Sequence, residues 1–341
     1  MLNYTIRRLL LAIPTLLFIS LIIFLIIALS PGDPTASLPL SVPAEVREQI
    51  REALGFNEPI YIRYLLWLKT FVINEPMYYL QDVFGWEYDK SINPRVISWQ
   101  TRSPVMDTIV QRVPQTLWVV GMSYVVGILI AVPIGIISAY KQYSIFDQIG
   151  TFISMVGFSV PTFFTGVLLI VVFSVMIPND SFFWLPSIYD TTLVVEDWDS
   201  FWKQVRQMIM PVFVLSLFNA AQISRYMRAS VLDNLRQDYV RTARSKGLSE
   251  KIVVLVHVLR NSLIPVITVI ALGVPQVFGG AIITEQVFKV NGLGQLLILA
   301  IQDGDAPTVQ TLTFIFAVLI VLFNLVADVL YGIMDPRIRY D

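Results

Sequence analysis

Six blocks of about twenty apolar residues constrain this chain more than any other feature. They lie at 9–29, 116–139, 152–177, 209–227, 263–283 and 312–332, and each is long enough as a helix to cross a hydrocarbon core of ~30 Å. The 341 residues are 55% hydrophobic and 14% charged, with a mean hydropathy of +0.68. Soluble domains average about 45–50% apolar and about 25% charged. The excess apolar surface needs lipid, so the fold expected is an all-α integral membrane protein with about six transmembrane helices.

The first block follows Arg7-Arg8 but is too long for a signal-peptide h-region. It runs into Ser30-Pro31-Gly32-Asp33-Pro34 without a small-x-small cleavage site, so it reads as a retained helix. The 209–227 block is the weakest because it carries Pro211, Asn219, Gln222 and Arg225. Such a stretch survives at membrane depth only where it faces protein or a wet cavity, which makes it a candidate for lining a path.

Basic residues near span ends set orientation. Between the fourth and fifth blocks stand Arg228, Arg236, Arg241, Arg244, Lys246, Lys251 and Arg260 against Asp233, Asp238 and Glu250, which predicts a cytoplasmic segment at 228–262. The acidic segments at 178–207 and after the fifth block are predicted to be external, and Arg7, Arg8, Arg337 and Arg339 put both termini in the cytoplasm. Six spans close this pattern. The chain then divides into a tail and first helix (1–30), an external segment with short amphipathic helices (31–113) and a five-helix core (114–341).

In the external segment, Ser41-Val42-Pro43-Ala44-Glu45 reads as a helix start, Val46, Ile50 and Leu54 share a face, and Gly55 is the stop. Tyr61, Tyr64 and Trp67 among leucines fit either a segment lying on the outer surface or a small subdomain packed on the spans. No internal repeat or low-complexity tract is present.

Several chemistries are excluded. The chain has no cysteine and one histidine, His257, so neither a thiolate nor a multi-histidine metal site is expected. No Gly-x-x-x-x-Gly-Lys-Ser/Thr phosphate loop occurs. Gly292-Leu293-Gly294 lacks the rest of a dinucleotide fingerprint and reads as a turn. The net charge of −1 gives no global pull toward nucleic acid. No catalytic residue is expected: an intramembrane hydrolase needs a base beside its nucleophile, and His257 lies in the basic segment.

The segment with most functional content runs Asp238-Tyr239-Val240-Arg241-Thr242-Ala243-Arg244-Ser245-Lys246-Gly247-Leu248-Ser249 and continues to Ile264-Pro265. Val231, Leu235, Tyr239 and Ala243 fall on one helical stripe, Gly247 can take a left-handed C′ position, and Ser249 can cap the next helix. A short helix held beyond the membrane by two connected spans is a rigid handle for another protein. An ordinary basic loop that happens to be helical fits the charges equally well.

Asp238 through Gly247 to Pro265 resembles the cytoplasmic coupling motif of bacterial binding-protein-dependent ABC transporter permeases, whose form is Glu-Ala-Ala, three residues, Gly, then Leu-Pro. Here it reads Arg241-Thr242-Ala243, Gly247 and Ile264-Pro265. The altered first positions and longer Gly-to-Pro separation are similar to the dipeptide, oligopeptide and nickel class. Further landmarks resemble its B-type subunit: Arg7-Arg8-Leu9, Pro31-Gly32-Asp33-Pro34, Arg112-Val113-Pro114, Thr284-Glu285-x-Val287-Phe288 with Gly292-Leu293-Gly294, and Asp335-Pro336-Arg337-Ile338-Arg339. The external stretch at 74–97 is longer than the family pattern.

The resemblance implies a type I importer permease fold in a bacterial inner membrane and a path for peptides. It also implies a second homologous permease, two ATPase subunits that bind ATP and Mg, and an external binding protein. This chain would bind no cofactor itself. Asp238, Arg241, Thr242, Ala243, Arg244, Gly247, Leu248 and Pro265 would couple to the ATPases. Asn219, Gln222 and Gln276 are the candidates for the translocation path. Gly273, Pro275, Gly279 and Gly280 fit close helix packing better than path lining, and Asp328 fits an interfacial or partner contact. A secondary transporter or channel for a small polar solute, using Asn219, Gln222, Gln276, Asn324 and Asp328, is the rival, but no ionisable residue sits mid-span. Nickel chelates and sugars remain open as substrates.

Overall fold

A computed structural model describes residues 2–29, 42–53, 57–85 and 94–334. Ser41, Leu54, Gly55 and the landmarks at 31–34 and 335–339 lie outside these residues. In chain order the helices are α1 (Leu2–Leu29), α2 (Ala44–Ala53), α3 (60–84), α4 (Val105–Tyr140), α5 (Ile145–Ser159), α6 (Thr162–Met176), α7 (Trp198–Leu235), α8 (Asp238–Ser245), α9 (250–288), α10 (Leu293–Gln302) and α11 (Ala306–Met334). Among the described residues five helices are long and apolar enough to cross a membrane, and the pair α5–α6 makes a sixth if counted as one broken span.

That break corrects the sequence expectation of a single helix at 152–177. The two halves are bent by 100°. Pro161 lacks an N–H and its ring disfavours the α region for the residue before it. Val160 (φ −80°, ψ 126°) and Pro161 (φ −57°, ψ 136°) are both non-helical.

The chain forms two compact units, one from residues 1–9, 115–295 and 319–341, the other from 10–114 and 296–318. In the first, α7 is the central element. Its face of Leu215, Ser216, Ala220, Ala221, Ile223, Ser224 and Met227 is buried. Gly127, Ala131 and Gly135 on α4, spaced by four, let the two backbones approach. A Cβ on Gly135 would come within 2.6 Å of the Met227 Cβ and 2.8 Å of the Ser224 carbonyl, and one on Gly127 within 3.2 Å of the Ser216 carbonyl. Asp147, buried at the start of α5, takes a two-pronged ion pair from Arg228 on α7 (2.7 and 2.8 Å). Asp328 pairs with Arg8 at 3.1 Å.

Glu285 closes the other end of this unit. Its fully buried carboxylate accepts from the Thr116 hydroxyl (2.9 Å) and from the Gly294 and Gln295 N–H groups (2.7 and 3.0 Å) at the start of α10. A helix N-terminus offers unpaired N–H groups and partial positive charge, which suits a buried anion. The Gly292-Leu293-Gly294 turn wraps this carboxylate so tightly that a Cβ on Gly292 would collide with the carboxyl group.

In the second unit α3 runs as a continuous helix with a π-helical stretch at Thr70–Asn74. Tyr64, Trp67 and Phe71 pack against Phe24 of α1 and Phe314 of α11 in edge-on and tilted pairs, and Trp67 stacks on Phe71 within α3. The Tyr64 hydroxyl bonds to Ser20 at 2.9 Å. The aromatic stretch is thus packed on spans. Arg95 bridges Glu75 (2.8 Å) and Asp107 (2.9 Å) and lies over the Tyr78 ring. Burial opposes its charge, but hydrogen bonds to Asp107 and Glu75 hold the Arg95 guanidinium above its ordinary pKa. Burial, reinforced by the bond to Asp107, pushes the Tyr79 phenol up to about 12, so it stays a donor. Asp305 caps α11 through Thr308 and also accepts from Ser98 (2.5 Å) and the Trp99 N–H (2.9 Å).

Candidate functional site: a capped helix and a membrane-depth cavity

The basic segment folds as helix, turn, helix, glycine stop, helix. The stripe expected from Val231 to Ala243 is interrupted, since α7 ends at Leu235 and α8 begins at Asp238. The Tyr239 hydroxyl closes that turn on Asn234 (2.7 Å). Gly247 has φ +75°, the left-handed conformation its position calls for. The Gly247 N–H bonds to the Arg244 carbonyl (2.9 Å) and the Leu248 N–H to the Ala243 carbonyl (3.4 Å). This pair of bonds is the Schellman cap, which satisfies carbonyls a helix end would leave open.

Two faces of α8 differ sharply. Val240 and Ala243 are buried in a cluster with Val231 of α7 and Val253, Val258 and Val266 of α9. Asp238, Arg241, Thr242, Arg244, Gly247 and Leu248 face outward. Arg241 pairs loosely with Asp238 (3.4 Å), and the Thr242 hydroxyl donates to the Asp238 carbonyl (3.0 Å). Arg244 reaches across the cap to Glu250 at 2.8 Å, and that bond holds its pKa above the ordinary value. Ser249 precedes α9 without a side-chain capping bond. α9 then continues without a break from Glu250 through a π-helical stretch at Val253–Val258 into the fifth span. Pro265 therefore lies inside this helix, exposed and apart from the capped turn. Reciprocal bonds between Ser230 and Ser262 (2.9 and 3.3 Å) tie α7 to α9 just behind α8. The outward face is thereby mounted on two spans.

The second feature is a cavity of about 350 Å³ at the break between α5 and α6. Phe158 to Phe163 form one wall, Leu215, Phe218, Asn219, Gln222 and Ile223 of α7 another, and Tyr124, Val269, Gly273 and Ile283 complete it. Non-helical backbone at membrane depth occurs where it is buried in protein or lines a cavity, so the break and the cavity explain each other. Phe158 stacks on Phe218 at 5.7 Å, and the Arg225 guanidinium lies 4.6 Å from the Phe158 ring centre. The Tyr124 hydroxyl donates to the Ile270 carbonyl. It also fills the space beside Gly273, where a Cβ would meet it at 2.5 Å. Gly273 thus serves close packing and lines the cavity at once. Of the three path candidates, Asn219 and Gln222 line it; the side chain of Gln276 lies outside the described residues.

Sequence reasoning missed the Asp147–Arg228 pair, the Glu285 cradle and the α4–α7 contact. The regular spacing of Gly127, Ala131 and Gly135 was the available signal for the last. No spacing pattern connects Asp147 with Arg228 or Glu285 with Thr116, and the nearer signal for the cradle was the pair of glycines in Gly292-Leu293-Gly294.

The described residues thus combine a helical membrane core with a capped helix projecting from two spans. Residues 131–340 match the family described as binding-protein-dependent transport system inner membrane component, and residues 1–120 match the N-terminal family of such membrane components. The chain belongs to this family and is a multi-pass inner-membrane permease subunit of a binding-protein-dependent ABC transporter. It is similar to the oligopeptide transport system permease protein AppB of Bacillus subtilis, with 38% identity over 99% of both chains. It is also similar to the glutathione transport system permease protein GsiC of Escherichia coli K12, with 37% identity over 100% of both. A crystal structure of an amino acid ABC transporter with histidines matches 66% of this chain and 94% of its own, at 11% identity and a TM-score of 0.48.

Proposed function

We propose that the chain forms half of the path of an ATP-driven importer for peptides. It pairs with a second permease, receives substrate from an external binding protein, and is driven from the cytoplasm by two ATPase subunits that hold ATP and Mg. The observation that carries this is the Schellman-capped α8, buried on one face, polar on the other and fixed to α7 and α9. A helix so mounted transmits a push from a docked protein to two spans at once. Ile252, Leu255 and Val256, exposed on α9, add apolar surface beside it of the kind that marks protein contacts.

Oligopeptides and glutathione, named for AppB and GsiC, both offer amide groups. This favours peptides over nickel chelates and sugars. Asp238, Arg241, Thr242, Ala243, Arg244, Gly247 and Leu248 shape the ATPase contact, and Pro265 acts on the span behind it. Asn219 and Gln222 line the path. Both termini and residues 228–262 are cytoplasmic.

Affinity-tagged chain, purified from its native membrane, is expected to bring down an ATPase subunit, while the chain expressed alone hydrolyses no ATP. ATP hydrolysis by the pure single chain contradicts the division of labour. For orientation, cysteines placed at Asn93 and Glu196 are expected to react with an impermeant thiol reagent in spheroplasts, and one at Ser249 only after lysis.

A further inference from the structure

Asn219 and Gln222 stand one turn apart on α7 and open on the cavity at the broken span. Among the described residues neither side-chain amide has a hydrogen-bond partner within the chain. Inside a membrane an unpaired amide is costly, because lipid supplies no donor or acceptor. Each primary amide offers both a donor and an acceptor without charge, which matches the C=O and N–H of a peptide group. The surrounding wall is largely aromatic and aliphatic, and among the described residues no charged side chain lines it. Arg225, the nearest cation along α7, is engaged on the Phe158 ring. A charged ligand group would lose its water here and meet no counter-charge on the described lining residues of this chain.

We propose that this cavity is a binding site within the path. It holds one peptide group of the substrate against Asn219 and Gln222 and an uncharged side chain against Phe158, Phe163 and Phe218. Its volume lies at the lower end of small-molecule sites, ~300–1,000 Å³, so it takes a short stretch of peptide at a time. This rests on the chain being a peptide importer permease. It adds that the permease itself, and not only the binding protein, discriminates among substrates, preferring neutral apolar side chains to charged ones.

The test uses the complete transporter in proteoliposomes with its own binding protein and the radiolabelled tripeptides Ala-Phe-Ala and Ala-Lys-Ala. Because the binding protein is the same throughout, its preference cancels when variants are compared. Asn219→Asp is expected to raise the uptake ratio of Ala-Lys-Ala to Ala-Phe-Ala by about tenfold, since a carboxylate now meets the lysine; Gln222→Glu shifts it in the same direction. An unchanged ratio in both variants overturns the site. Should either variant fail to assemble, a second measurement decides. The chain has no native cysteine, so Thr162→Cys places a unique thiol in it at the cavity. In the substrate-loaded complex Ala-Phe-Ala is expected to slow its alkylation several-fold more than Ala-Lys-Ala does. Equal slowing, or none, overturns the proposal. If the unmodified transporter takes up neither tripeptide, the peptide-importer function fails, and this site with it.

Discussion

α1 and α7 are both membrane-length helices, yet they are built for opposite surroundings. α1 is almost entirely aliphatic, and only 17% of its most apolar window is buried within the protein. α7 carries Asn219, Gln222, Arg225, Arg228 and several serines, and 67% of its window is buried. In water the less polar helix would be the core. In lipid the hydrophobic effect does not separate helix from helix, because acyl chains are as apolar as leucine, so close packing and hydrogen bonds decide which helix is central. Weak hydropathy at 209–227 is therefore a mark of centrality, and α7 accordingly receives α4, the Asp147 ion pair and the cavity.

Four substitutions test this contrast. The largest effect is expected at Glu285, which anchors the first unit by accepting from Thr116, Gly294 and Gln295. Glu285→Ala leaves those buried donors unpaired at about 1–3 kcal/mol each, so detergent-solubilised protein should lose its monodisperse peak in size exclusion. Next is Gly135→Ala at the α4–α7 contact. The added Cβ overlaps Met227 and the Ser224 backbone, and overpacking of this kind costs roughly 1–3 kcal/mol, read as a lower melting temperature in detergent. Asp147→Asn is third, since it keeps the shape but leaves the Arg228 charge without its counter-ion. It should cost less than Gly135→Ala in melting temperature and more in uptake, because Arg228 sits between the cavity and α8 along α7. The smallest effect is expected at Phe18 of α1, which is 64% exposed. Phe18→Ala should stay within about 0.5 kcal/mol, as surface changes usually do. A melting temperature that falls as far for Phe18→Ala as for Gly135→Ala would invert the comparison.

Span number and helical class were legible because a membrane imposes one length and one hydrogen-bonding rule on every crossing segment. The left-handed Gly247 was legible as well, since a glycine closing an amphipathic stretch has few other uses. The break at Pro161 was not, because proline alone does not decide the outcome: Pro14, Pro114, Pro133 and Pro211 all lie inside helices that continue. What differs at Pro161 is a cavity that takes up the non-helical backbone, and that is a tertiary fact. Nor could local periodicity show that Asp328 meets Arg8 or that Glu285 meets Thr116, since these are pairings between distant segments. The stripe from Val231 to Ala243 misled for a related reason, as its residues share a cluster across a turn and not along one helix.

The proposal that the capped turn of α8 couples this permease to an ATPase turns on Gly247. Outside its own chain neighbours, no atom of this chain lies within 4 Å of where its Cβ would stand, so within the chain a substitution there acts through the backbone. Gly247→Val is disfavoured at φ +75° by roughly 1–2 kcal/mol, enough to reshape the turn without unfolding the membrane core, whereas asparagine tolerates that conformation. The decisive measurement is a pull-down of ATPase and second permease together with peptide uptake, for Gly247→Val and Gly247→Asn side by side. The predicted result is that both variants insert and pair with the second permease, that Gly247→Val loses ATPase docking and uptake, and that Gly247→Asn keeps most of each. Normal docking and normal uptake in Gly247→Val would contradict the claim and leave α8 an ordinary basic loop helix.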